Sequence, residues 1–217
     1  MIVKRAFLKW VWICATGEFL GIACAAAIAV GVNLWIGEPD TLLEKGLVYL
    51  SMLVSGVVEG SILGAVQARG LRSFVPSVSR IRWIRLTVAV AVMGWALGGL
   101  PAVLMSGGEP EADAEGPSFA MILVLSAGMG MVLGALFGLV QWIELRRCTR
   151  HTVHWITANA VGWTFGMFFI FLFATLPDVG DPVWFMIMCG AIGGMLAGMS
   201  VGVATGVYLL YRHNEQV

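Results

Sequence analysis

The sequence predicts an all-α, polytopic membrane protein: six transmembrane helices, built as three parallel copies of a two-helix hairpin, with both termini in the cytoplasm. Three observations predict it. The composition is unsuited to water, six apolar stretches are long enough to cross a bilayer, and a glycine-glutamine motif recurs at fixed spacing on alternate stretches.

Soluble domains carry about 25% charged residues, whereas this chain of 217 residues has 12% charged and 59% hydrophobic residues and a mean hydropathy of +0.89. Its formal charge is zero and it has no polybasic block, so nucleic acid is not an expected partner. The expected partners are the lipid bilayer and other membrane subunits or further copies of the chain. Residues 1–217 are read as a single transmembrane domain. Cys14, Cys24, Cys148 and Cys189 include no CxxC pair and read as small packing residues and one ordinary thiol.

A helix needs about 20 apolar residues to cross the roughly 30 Å hydrocarbon core, and the stretches 10–36, 46–68, 83–105, 118–142, 153–176 and 183–211 qualify. The first follows Lys4, Arg5 and Lys9 in the manner of a signal peptide. It is longer than the roughly 7–15 residues of a signal h-region, and its Gly17-x-x-x-Gly21 spacing recurs in later helices, so a retained helix is expected.

Lys and Arg near span ends stay on the cytoplasmic side. Lys4, Arg5, Lys9, Arg69, Arg72, Arg80, Arg82, Arg85, Arg146, Arg147, Arg150 and Arg212 flank one set of span ends. The opposite loops hold Lys45 with Glu38, Asp40, Glu44, Glu109, Glu111, Asp113, Glu115, Asp178 and Asp181. Both termini are therefore expected inside, in the cytoplasmic (inner) membrane of a bacterium. Tryptophan favours the headgroup region, which suits Trp10, Trp12, Trp83, Trp142 and Trp155 at the inner boundary and Trp35 and Trp184 at the outer one.

The repeat is read in Gly60-x-x-x-Gly64-x-x-Gln67-x-x-x-Leu71-Arg72 and Gly134-x-x-x-Gly138-x-x-Gln141-x-x-x-Leu145-Arg146, every matched pair 74 residues apart. Helix six carries a weakened copy, Gly198-x-x-x-Gly202-x-x-Thr205-x-x-x-Leu209, with Gly194 on the same stripe. In the odd helices Gly94-Trp95-x-x-Gly98 matches Gly162-Trp163-x-x-Gly166, with Gly17-Glu18-x-x-Gly21 as the first copy. The repeats run over about 9–72, 82–146 and 152–212. Three parallel hairpins suit a pseudo-threefold arrangement about an axis normal to the membrane, or a sequential array, and they exclude inverted repeats. Small residues four apart let helix backbones approach in lipid, so these glycines are expected to pack helices, with the even helices in the centre. Trp95 and Trp163 read as wedges at equivalent positions between hairpins.

This pattern resembles a broad group of uncharacterised bacterial multi-pass proteins in which a W-x-x-A...G-W-x-x-G helix alternates with a G-x-x-x-G-x-x-Q-W-x-x-L-R helix. The second form stands here in Gln141-Trp142-x-x-Leu145-Arg146, the first in Trp155-x-x-Ala158 followed by Gly162-Trp163-x-x-Gly166. The resemblance covers most of residues 9–210 and implies a membrane fold; it carries no activity with it. The chain departs from the pattern in helix one, where Glu18 stands at the tryptophan position, and after Gln67, where Ala68 follows.

Glu18 lies eight residues beyond Trp10 and Glu59 ten before Arg69, which places them roughly 12 and 15 Å into the membrane at 1.5 Å per residue. An ionisable group at that depth is a functional candidate by default. Two carboxylates facing each other in low dielectric would share a proton or bind a cation; the structural alternative is that each is neutral and bonds a neighbouring helix, or reaches a basic residue. Gln67 and Gln141, and with them Asn159 and Thr205, read as interhelical hydrogen-bonding residues whose partners are a neighbouring backbone or the loop entering it.

No bound metal or cofactor is expected. His151 and His154 form a boundary feature, and His213 lies at the same surface, so no histidine pair faces another across the membrane as a haem would require. The methionines of helices four and six, such as Met129, Met131, Met195 and Met199, read as gap-fillers beside glycines. No nucleophile triad, HExxH or Walker loop is present, so an enzyme is not expected. Two functions remain: a non-enzymatic accessory or scaffold subunit of a membrane assembly, and a small ion- or proton-coupled transporter or channel, or permease subunit, using Glu18 and Glu59.

Overall fold

The structure, a computed structural model, describes residues 2–105, 116–150, 152–178 and 180–214. The described residues form six helices: α1 (Ile2–Ile36), α2 (Leu42–Leu71), α3 (Arg80–Met105), α4 (Phe119–Cys148), α5 (His154–Ala174) and α6 (Val183–Asn214). All six are long and apolar enough to cross a membrane, and they coincide with the predicted stretches apart from their ends. The acidic residues Glu109 to Glu115 and His151 lie outside the described residues.

Local chemistry sets the boundaries. α1 stops where Gly37 takes φ +72° and returns its N–H to the Asn33 carbonyl at 2.8 Å, a left-handed glycine termination. A capping box opens α2: the Glu44 N–H donates to Thr41 Oγ1 at 3.2 Å, and Glu44 Oε2 accepts from the Thr41 N–H at 2.9 Å. Ser118 caps α4 by accepting from the Met121 N–H at 3.3 Å. α1, α2, α4 and α6 run to 30–35 residues, more than the about 20 that span the hydrocarbon; this places Arg69, Arg146, Arg147 and Arg212 on helix ends beyond the apolar run.

Each helix packs on its chain neighbours and α6 returns to α1, so the bundle is a closed ring in which, among the described residues, every close helix pair is a pair of ring neighbours. α3 and α4 form the loosest pair. The even helices do not gather at the centre, as the sequence had suggested. Their glycine stripes face sideways onto the following odd helix, and the same contact recurs around the ring. A Cβ on Gly64 would lie 3.1 Å from Ile84 Cα, on Gly138 2.6 Å from Ile156 Cα, and on Gly202 2.8 Å from Val11 Cα. One turn away, Gly60 meets Val88, Gly134 meets Ala160, and Gly198 meets Ala15, with a Cβ 2.7–2.9 Å from each Cα. Gly194 comes next, with a Cβ 2.8 Å from the Glu18 carbonyl. These positions can hold only glycine while the backbones stay this close.

The odd-helix glycines divide. Gly162 is tight against α6, with a Cβ 2.7 Å from Val201 Cα, and Gly17 is tight against Leu63 and Val66 of α2. Gly166 is in ordinary contact with Ala197 at 3.4 Å. Gly94 and Gly98 do not pack helices closely: the nearest atom to a Cβ on Gly94 is 3.6 Å away on Leu133, and nothing lies within 4 Å of one on Gly98. The register explains the difference. Trp10, Trp83 and Trp155 begin the buried part of the odd helices; Gly17 and Gly162 lie seven residues beyond theirs, but the residue seven beyond Trp83 is Val90. Gly94 lies eleven beyond, the position of Gly21 and Gly166. A branched side chain where the other two hairpins have glycine holds α3 off α4 and accounts for the loose pair.

Candidate functional site

The ring interior is built in layers, and the layer nearest the chain ends is polar at its centre and aromatic around it. Trp10, Trp83 and Trp155 are at most 1% exposed, which corrects the boundary role expected of them; Trp12, Trp35 and Trp184 stand exposed on the outside of the bundle. Each buried indole N–H donates to the preceding even helix around the ring: Trp83 to Gln67 Oε1 (3.4 Å), Trp155 to Gln141 Oε1 (3.1 Å) and Trp10 to Thr205 Oγ1 (2.9 Å). The rings also touch, with centroids 5.8 Å apart for Trp83 and Trp155 and 6.3 Å for Trp10 and Trp155.

The amides link the first two of these bonds and tie them to α1. Gln141 Nε2 donates to Gln67 Oε1 at 3.3 Å and to Thr87 Oγ1 at 3.1 Å, and Gln67 Nε2 donates to Cys14 Sγ at 3.8 Å. Both glutamines thus bond side chains of other helices, not the neighbouring backbone or an entering loop as expected. In a buried interior an unmade bond of this kind costs about 1–3 kcal/mol, so the network fixes one register among α1 to α5. Asn159 is not part of it: its Nδ2 donates to the Trp155 carbonyl of its own helix at 2.9 Å. An amide one turn above a carbonyl finds its nearest acceptor there, which corrects its interhelical role.

The next layer holds Leu63, Ala91, Phe137, Trp163 and Val201, with Trp163 stacked on Phe137 at 4.9 Å. Trp95 is not its counterpart. Trp163 lies eight residues beyond Trp155, but Trp95 lies twelve beyond Trp83, one turn further along, where its indole N–H donates to Glu59 Oε2 at 2.5 Å. The residue eight beyond Trp10 is Glu18. A carboxyl therefore stands in α1 where α5 carries the stacked Trp163 and α3 carries Ala91.

Glu18 is 1% exposed, and neither carboxyl oxygen has a hydrogen-bond partner among the described residues. Glu59 is 4% exposed and lies flat on α1, with a Cβ on Gly21 only 2.9 Å from its Cγ. Glu18 lies one turn before Gly21 on α1, so both acidic residues stand on the same contact between α1 and α2. The basic residue offered as an alternative partner of Glu18 is not found among the described residues; Arg82 pairs instead with Glu144, at 3.8 Å. With two oxygens unbonded, Glu18 weakens the fold. Glu18→Leu is expected to raise the unfolding free energy by roughly 1–3 kcal/mol, measured by unfolding in mixed detergent-SDS micelles; a lowered stability would show that Glu18 holds the bundle together.

Glu144 was missed in the sequence. It is 3% exposed, accepts from the Ser79 N–H at 2.8 Å and thereby caps α3 from the end of α4. Its signal was an acid within the cluster Glu144-Leu145-Arg146-Arg147, where the basic residues drew the attention. The constant spacing of Trp10, Trp83 and Trp155 was the missed signal for the odd-helix register. An apolar groove of about 420 Å³ runs between α5 and α6, lined by Phe165, Phe169, Met199 and Ser200. No group of three or more His, Cys, Asp or Glu placed to hold a metal occurs among the described residues. Comparison with protein-family models, curated proteins and solved structures returns no match for this chain.

Proposed function

We propose that this chain is a non-enzymatic integral membrane protein that serves as an accessory or scaffold subunit of a membrane assembly, with other membrane subunits or its own copies as partners. In this reading it lies in the cytoplasmic membrane of a bacterium with both termini inside, and its three hairpins are copies of one unit about an axis normal to the bilayer. The observation that carries it is the filled axis. Three indole-to-side-chain bonds, glutamine bridges and the Phe137–Trp163 stack occupy the ring's interior, which suits a rigid spacer better than a pore. The threefold reading is supported by the recurrence of these bonds and of the even-to-odd glycine contacts. The orientation is supported by the basic residues clustered at the end where α2 and α4 finish and α3 begins.

Extraction into mild detergent followed by native mass measurement tests the assembly: a stoichiometric partner or a defined oligomer is expected, and a lone monomer at membrane-like density overturns it. Topology is tested in a variant whose four native cysteines are replaced. Cysteines at Glu38 and Asp178 are expected to react with an impermeant maleimide from outside the cell, and cysteines at Arg72 and Arg147 only after permeabilisation; the reverse pattern turns the protein over.

One observation favours the second reading, a small ion- or proton-coupled transporter or channel: Glu18 is buried and unpartnered beside Glu59, at a cost that a pure spacer has no reason to bear. Flux in proteoliposomes that is lost in Glu18→Gln and Glu59→Gln would favour it over the scaffold.

A further inference from the structure

We infer that Glu18 and Glu59 form an exchangeable proton-binding site, in which Glu18 carries the proton, Glu59 carries the charge, and exchange runs along Ser55 and Ser51 to the hairpin end of the bundle. This is a statement about binding, and it holds for a spacer and a transporter alike.

The division of roles follows from hydrogen bonding. A donor aimed at a carboxylate favours its charged form, and burial without a donor favours the neutral one. Glu59 Oε2 receives the Trp95 indole N–H, and Glu18 receives nothing. Two negative charges buried on one helix contact repel, so one proton stays with the pair, on the member that has no donor. Around the pair, α3 contributes the Trp95 indole to Glu59, α1 carries Cys14 one turn before Glu18, and α6 meets the Glu18 backbone carbonyl at Gly194. No Lys, Arg or His bonds either carboxyl among the described residues.

The route is set by what lies on each side. Toward the chain ends stands the Trp10, Trp83 and Trp155 layer, almost without exposure. Toward the hairpin end, Ser55 and Ser51 continue the face of α2 that carries Glu59, at successive four-residue steps. Their hydroxyls donate to the Ser51 and Val48 carbonyls of their own helix at 3.0 and 2.7 Å, and turn from these to pass a proton. Ser55 is buried and Ser51 half-buried, so burial falls along α2 toward the edge at the hairpin end. On uptake a water at that edge releases a proton, an O–H bond forms on the carboxylate, and hydroxide or buffer carries the balancing charge; release reverses these steps.

Infrared spectra of the full chain in lipid nanodiscs test the site. At neutral pH a protonated-carboxyl C=O band is expected that shifts in D2O, is absent in Glu18→Gln and persists in Glu59→Gln. No such band in the wild type, or loss of the band in Glu59→Gln alone, overturns the assignment. A wild-type readout avoids dependence on variants: a hydrophobic carbodiimide is expected to label Glu18 by peptide mass analysis, more slowly as pH rises, and labelling that spares Glu18 or ignores pH overturns it too. Ser55→Ala, which removes one hydroxyl and adds no atoms, is expected to slow the D2O shift about tenfold, the effect of one hydrogen bond lost from the path. An unchanged rate would sink the route through Ser55.

Discussion

Gly138→Leu is expected to keep α4 and α5 from closing and to destabilise the bundle by about 3 kcal/mol or more. The first atom of the new side chain would lie 2.6 Å from Ile156 Cα, 3.1 Å from the Ile156 carbonyl oxygen and 3.2 Å from Asn159 Cβ. Two of these are backbone, so no rotamer change relieves the contact and the helices must part. Overpacking a close-fitted interior costs typically 1–3 kcal/mol, and here separation also pulls Trp155 away from Gln141. In lipid no hydrophobic gain offsets it, because the tails are as apolar as the leucine. Gly98→Leu is the control on the same kind of motif. Nothing lies near that glycine, and leucine is a better helix former than glycine by up to about 1 kcal/mol, so its stability is expected to stay level or rise slightly. Unfolding in mixed SDS micelles compares the two; equal midpoints would mean that these glycines are not what sets helix approach.

The extent of the helices was legible because a bilayer imposes a length and a polarity that composition reveals directly. The even-helix motif was legible too, since its spacing is carried by glycines that the backbone contacts require. The odd-helix register was not. Glycine followed by tryptophan occurs at Gly94-Trp95 and Gly162-Trp163, and the shared dipeptide masks a shift of one helical turn that becomes visible only when both are counted from Trp83 and Trp155. Tryptophan misled for a physical reason: an indole at a span end suits the headgroup region and equally suits a buried amide, and which holds depends on the face it occupies. Facing requires the ring to be closed. The same applies to Glu18 and Glu59, whose depth could be counted along the chain while their proximity depended on Gly17 and Gly21 letting α2 lie against α1.

Glu18 also shows how the first hairpin differs from the third with the same architecture. The position filled by a stacked indole in α5 carries an unbonded carboxyl in α1, and the contact that would crowd it is relieved because Glu59 lies on Gly21 instead of on a larger residue. The layer of Trp10, Trp83 and Trp155 stands between Glu18 and the end carrying the chain termini. A change in the layer should therefore reach the acid pair through α1, since Cys14 bonds Gln67 on one side and lies one turn from Glu18 on the other.

Gln141→Leu is expected to cost about 2–3 kcal/mol, because Gln141 has three bonds to nitrogen or oxygen partners, whereas one of the three on Gln67 goes to the weaker sulfur acceptor of Cys14. It accepts from the Trp155 indole and donates to Gln67 and Thr87, while Gln67 would keep Trp83 and Cys14. Hydrogen bonds within membranes average about 0.6 kcal/mol and reach about 1.7, so three supply about 2; the orphaned indole N–H adds to this, since a buried donor left alone costs about 1–3 kcal/mol. Leucine is close in volume, which keeps cavity effects small. Adding Trp155→Phe to Gln141→Leu removes the orphaned donor and is expected to cost less than Trp155→Phe does alone. The double-mutant cycle should give a coupling of about 0.6–1.7 kcal/mol for this indole-amide pair, read from SDS unfolding of the four proteins. A coupling of zero would mean that ring packing alone aligns the layer. The bonds of Trp83 to Gln67 and of Trp10 to Thr205 would then be consequences of the ring's closure and not its cause.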